Sequence, residues 1–156
     1  AFFGLEPGRW SLERLPTGGG GYLTDEGPGR AAVRRILAEA RYDVAVMPCG
    51  RDTNPDHRLV AAWWRSAAAG MAHPPEAWML RDPKTTGMRL DLAVPFGEDE
   101  AAWKAEMLRF HRSQQERCLH LRGHGLDERI LRVNRDTAAR AGLAAPYAEG
   151  FEIAAV

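Results

Sequence analysis

The chain of 156 residues is poor in most features that would declare a function outright. Cysteine is scarce: Cys49 and Cys118 alone cannot build a disulfide framework, which fits a reducing, cytoplasmic setting. No apolar run approaches the roughly 18 residues needed to span a bilayer, so no membrane span is expected. Net charge is also missing. With 21 Lys and Arg against 21 Asp and Glu, no overall field draws the chain to phosphate backbones or anionic lipid, and nucleic-acid binding is not expected. Lysine is nearly absent, since only Lys84 and Lys104 occur and the remaining basic residues are arginine. Together with heavy Ala and Gly use, this reads as GC-rich coding rather than a phosphate-binding device. No internal repeat is visible, and the one low-complexity run, Gly18 to Gly21, lacks the Gly-Lys-Ser/Thr of a phosphate-binding loop.

What is present is a foldable chain. Hydrophobic residues make up 45% and charged residues 27%, a balance that excludes a disordered tail and favours one domain around one core. Its opening, Ala1-Phe2-Phe3-Gly4-Leu5, carries neither Met nor a basic leader, and reads as a chain joining the middle of a strand.

The first half alternates as an α/β protein does. Val33, Ile36, Leu37 and Ala40 recur at helical spacing after the turn-prone Gly27-Pro28-Gly29. Tyr42 to Pro48 is a near-continuous apolar run suited to a buried parallel strand. After a polar turn from Gly50 to Asn54, Pro55 can open a helix that places Leu59, Val60, Trp63, Trp64 and Ala67 on one face. Ala77 to Arg81 and Met88 to Phe96 read as strands of a hairpin, followed by a long helix from Glu98 to Gly123 and another from Asp127 to Ala141. Tyr147 to Ala155 is expected as an edge strand or a terminal arm. The fold expected is α/β, with a mostly parallel sheet flanked by helices and a C-terminal hairpin and two helices.

Strand, polar loop and helix in succession put functional side chains at the carboxyl end of a parallel sheet. Asp52-Thr53-Asn54-Pro55-Asp56-His57-Arg58 occupies that place. A hydrolytic metal centre needs an imidazole ligand and an acceptor to fix its orientation, which His57 and its neighbouring carboxylates can supply. A polar turn that merely caps a helix accounts for the same residues equally well. Elsewhere, Cys49 reads as a packed hydrophobe before it reads as a ligand, His120 and His124 as a solvated helix end, His111 as a packing residue and His73 as loop. Trp63, Trp64 and Trp103 read as core. Trp10 and Tyr22, flanking the glycine run, are candidates for contacting substrate or another subunit.

Three stretches, MPCGRDTNPDHR, LRFHRSQQER and RVNRDTAARAGLAAPYAEGFE, resemble in order and spacing the GlcNAc-phosphatidylinositol de-N-acetylase (PIG-L/LmbE-like) family of zinc deacetylases. The resemblance implies a Rossmann-like fold, zinc as cofactor, and removal of an N-acetyl or N-acyl group from an amino sugar or glycoconjugate. It makes His57 a metal ligand and Asp56 an active-site carboxylate. Asn54 stands where the family has a His, so it can donate to an oxyanion but cannot titrate near neutrality. Asp52 lies close enough in sequence to touch substrate or metal-bound water, and Trp10, beside the glycine run, is the other candidate substrate contact. The family's His-Pro-Asp-Asp-Glu motif is absent. The expectation is therefore a single domain, 1–156, forming the C-terminal part of a larger deacetylase domain, with the missing ligands supplied in cis or by a second chain. A noncatalytic partner or binding subunit, a homo-oligomer included, is the alternative.

Overall fold

The structure is a computed structural model, and it describes residues 15, 17–18, 20–24 and 27–154. Helix α1 (Gly27–Glu39) leads into strand β1 (Val44–Pro48), helix α2 (Pro55–Ala68) and strand β2 (Glu76–Leu80). Pro55 begins α2 where its missing N–H costs nothing, and Asn54 caps the helix by accepting from the Asp56 N–H at 3.2 Å. Strand β3 (Leu92–Phe96), helices α3 (Glu98–Arg109), α4 (Arg112–Arg122) and α5 (Leu126–Arg140), and strand β4 (Tyr147–Ala154) follow.

The strands form one open sheet in the order β1-β2-β4-β3. The β1 and β2 pair is parallel, whereas β4 lies antiparallel to both β2 and β3. The fold is thus α/β with a mixed sheet rather than a mostly parallel one. Alternation in β1 and β2 sends Met47, Ala77 and Met79 to one face, where Leu37 of α1 and Trp64, Ala67 and Ala68 of α2 cover them. The two helices approach closely because Gly29 has no side chain: a Cβ there would lie 2.2 Å from the Trp63 ring.

Four expectations change. Among the described residues β1 is an edge strand covered on one face only, and Val44 and Val46 stay 39% and 64% exposed instead of buried. The hairpin expected between β2 and β3 does not form, because both strands run the same way and β4 inserts between them. Strand β4 is consequently interior, not an edge. Its polar members hid this: Glu149 is met by Lys104 and Asn134, and Glu152 by Arg51 and the Arg89 backbone, so both carboxylates are buried or half-buried with partners. The crossing link also explains Gly150, where a Cβ would press to 2.9 Å from Thr137 and 3.0 Å from Leu90.

The fourth change is that the long helix splits at Phe110 and His111. Arg109 Nε and Gln115 Nε2 both donate to buried Asp127 at the start of α5, each at 2.8 Å. Residues six apart on an unbroken helix point about 120° away from each other. Only a break lets both reach one carboxylate, and the tertiary contact wins over local helix propensity. Trp103, expected in the core, is left 61% exposed on α3.

Burial would push the Asp127 carboxyl up, but hydrogen bonds from Gln115, the Glu128 N–H and Arg109 outweigh it and hold the group below its usual range. A folded-state pKa below the unfolded one stabilises the protein above about pH 3.9, and that contribution disappears as pH falls through the folded value. Asp127→Ala is expected to lower stability by about 1–3 kcal/mol at neutral pH. Urea denaturation should show the difference shrinking in acid; a difference that is independent of pH contradicts the role.

Candidate metal centre

Parallel pairing brings the carboxyl ends of β1 and β2 side by side, and the loops that leave them are stitched together. Asp52 and Thr85 form an isolated antiparallel bridge. Around it, Thr53 N–H donates to the Lys84 carbonyl at 3.1 Å and Thr86 N–H to the Arg51 carbonyl at 2.8 Å. This stitching carries Asp82, two residues past the end of β2, against the first turn of α2. There His57 Nδ1 lies 2.9 Å from Asp52 Oδ2 and 3.2 Å from Asp82 Oδ2.

The two carboxylates are held in the same way. Asp52 Oδ1 accepts from the Asn54 N–H at 2.6 Å, and Asp82 Oδ1 accepts from the Lys84 N–H at 2.5 Å. Each therefore spends one oxygen on the backbone two residues ahead and aims the other at the imidazole. Asp52 is buried, whereas His57 and Asp82 side chains are 24% and 23% exposed. Burial opposes ionisation of Asp52. Hydrogen bonds from the Asn54 N–H and from His57 prevail and keep its carboxyl below the usual range. An ionised carboxylate next to a half-exposed imidazole is the electrostatic setting a cation needs.

The donor set can hold a metal ion. One imidazole nitrogen and two carboxylate oxygens, from Asp52, His57 and Asp82, all lie within 4.8 Å of one another. Three nitrogen and oxygen donors with solvent access on one side suit a borderline divalent ion with an open position. A cavity of about 330 Å³ adjoins the group, lined in part by His57, Asp82, Asn54 and Gln114.

Of the residues singled out in the sequence, His57 is in the group and Asp52 joins it as a prospective ligand. Asn54 reaches the cavity wall while capping α2. Asp56 is directed elsewhere, its Oδ1 accepting from the Leu23 N–H at 2.8 Å and so tying the glycine-rich turn to the helix. Trp10 lies outside the described residues. Cys49 is 1% exposed and packs in the core, with burial raising its thiol pKa. His111 sits exposed at the α3–α4 break, and His124 follows the left-handed Gly123 that ends α4. Sequence reasoning missed Asp82. Its signal was position: an Asp directly after a strand, in a stretch taken for a hairpin turn.

No protein-family model matches the chain, and no curated protein matches it. Among the described residues, no helix is long and apolar enough to cross a membrane.

Isothermal titration with zinc is expected to give one site per chain, weakened at least about tenfold by His57→Ala and by Asp82→Ala. Asp56→Asn should leave the affinity unchanged. Wild-type affinity in Asp82→Ala would remove Asp82 from the site.

Proposed function

We propose that the chain is a zinc-dependent amide hydrolase that removes an N-acetyl or N-acyl group from an amino sugar or glycoconjugate. The observation that carries this reading is the Asp52, His57 and Asp82 donor group, set beside a cavity at the carboxyl ends of two parallel strands. The resemblance of MPCGRDTNPDHR and the later stretches to the PIG-L/LmbE-like deacetylases supports the same reading. So does the β1-α2-β2 unit, which suits a Rossmann-like arrangement. Two free, buried cysteines accord with a cytoplasmic location.

Asp52, His57 and Asp82 would hold the ion. A bound divalent ion supplies Lewis acidity, polarising a carbonyl and making water acidic enough to attack near neutral pH. Asp52, fixed by the Asn54 N–H, and Asp82, fixed by the Lys84 N–H, aim their second oxygens at the same edge of the His57 ring, where the three would close on one ion. The Asn54 side-chain oxygen is spent on the helix cap, so its amide nitrogen is the donor available to an amide oxygen as negative charge builds there. The chain gathers three prospective ligands by itself, where the sequence alone offered one.

One observation favours a noncatalytic binding role. Apart from Asp82, no carboxylate lines the cavity among the described residues, and Asp56 is committed to the Leu23 backbone, so the proton acceptor for an attacking water is not evident. Acetate release from N-acetylated amino sugars separates the two. Hydrolysis should require zinc and fall by about 100-fold or more in His57→Ala. Stoichiometric zinc binding without release from any N-acylated sugar establishes the binding role instead.

A further inference from the structure

The cavity beside the donor group has a wall of a different character. Lys84 reaches it from the link after β2, Arg117 and Arg122 from α4, and Arg129 from α5. Four cations thus line the space against one carboxylate, Asp82, in a chain whose charges balance overall at 21 and 21. No hydrogen bond or ion pair engages the side chain of any of the four among the described residues. Some other arginines are paired, Arg51 with Glu152, Arg81 with Asp136, Arg89 with Asp91 and Arg109 with Asp127, whereas the Arg41, Arg112 and Arg140 side chains have no partner either among the described residues, so what sets these four cations apart is the one cavity they share. Arg122 lies in the last turn of α4, where the helix dipole favours a cation, but Arg117 and Arg129 have no such reason.

Like charges lining one cavity raise the positive potential there and favour an anion. Leu121, Leu126 and Ile130 on the same wall lower the local polarity and strengthen any charge-assisted contact. Guanidinium groups match the planar or tetrahedral oxygens of carboxylate and phosphate, donating two hydrogen bonds at once. We propose that the cavity binds a substrate bearing an oxyanion, a phosphate or a carboxylate, held by Arg117, Arg122, Arg129 and Lys84 while its amide faces Asp52, His57 and Asp82. The orientation of the amide rests on the hydrolase reading above; the anion subsite does not.

The test is run on the full chain stripped of metal with a chelator, so that neither zinc nor turnover enters the result. Inorganic phosphate and acetate are titrated separately by NMR, following the Arg and Lys side-chain and Gln114 signals. Saturable binding of at least one is expected, weakening as salt rises, and the preference between them distinguishes a phosphate-bearing from a carboxylate-bearing substrate. Arg117→Ala with Arg129→Ala should weaken it at least about tenfold, whereas Arg117→Lys should retain part of it. Arg140→Ala, on α5 but outside the cavity lining, should leave it intact. Circular dichroism on each variant establishes that the fold persists. Absence of saturable binding by either anion, or binding indifferent to the arginine pair, overturns the proposal; zinc-dependent hydrolysis of an uncharged N-acetyl sugar alongside that result would leave the hydrolase reading standing.

Discussion

The parallel register of β1 and β2 is the constraint from which the candidate site follows. Strands that run side by side in one direction must release their loops at the same end, and here those loops are stitched by the Asp52 and Thr85 bridge with backbone bonds on either side. Without that alignment Asp82 and His57, 25 positions apart by number (82 − 57), would have no reason to meet. With it, each carboxylate needs only a local bond to the N–H two residues ahead to point its second oxygen at the imidazole. Long-range pairing places the groups and short-range turn chemistry aims them. The same edge then opens onto a cavity whose far wall is built by α4 and α5, so donor group and cations come from distant parts of the chain.

Much of this was legible in the residues. The strand, polar loop and helix from Val44 to Ala68 stand where apolar periodicity and Pro55 put them, and His57 falls at the site. The two readings of the DTNPDHR loop do not compete, since Asn54 caps α2 while Asp52 and His57 belong to a group that could hold a metal ion. What stayed hidden depends on partners far off in sequence. Glu149 and Glu152 made β4 look like a solvated edge, because the cations that accompany them inside lie on other elements. The break at His111 has no Pro or Gly to announce it; it is imposed by Asp127 on α5. Asp82 looked like any turn residue for the same reason, and Asp56, an active-site carboxylate by the resemblance, accepts from the distant Leu23 N–H, a partner that local sequence does not announce.

Charge tells a comparable story. A chain with no net charge argues against a partner recognised through a broad field, and it remains a sound argument at that scale. At the scale of one cavity the balance fails, since Lys84, Arg117, Arg122 and Arg129 line it against a single carboxylate, Asp82. Scarcity of lysine, read from composition as a coding bias, coexists with a placement of arginine that has chemical consequences.

The central claim is that Asp52, His57 and Asp82 act as one metal site. X-ray absorption on the zinc-loaded chain addresses it most directly, because it reports the ligand atoms themselves. The expected spectrum shows nitrogen and oxygen ligands only, at about 2.0–2.2 Å, with the outer-shell pattern of a single imidazole. Sulfur at about 2.3 Å, which would bring Cys49 or Cys118 into the site, or a spectrum without any imidazole contribution, contradicts it.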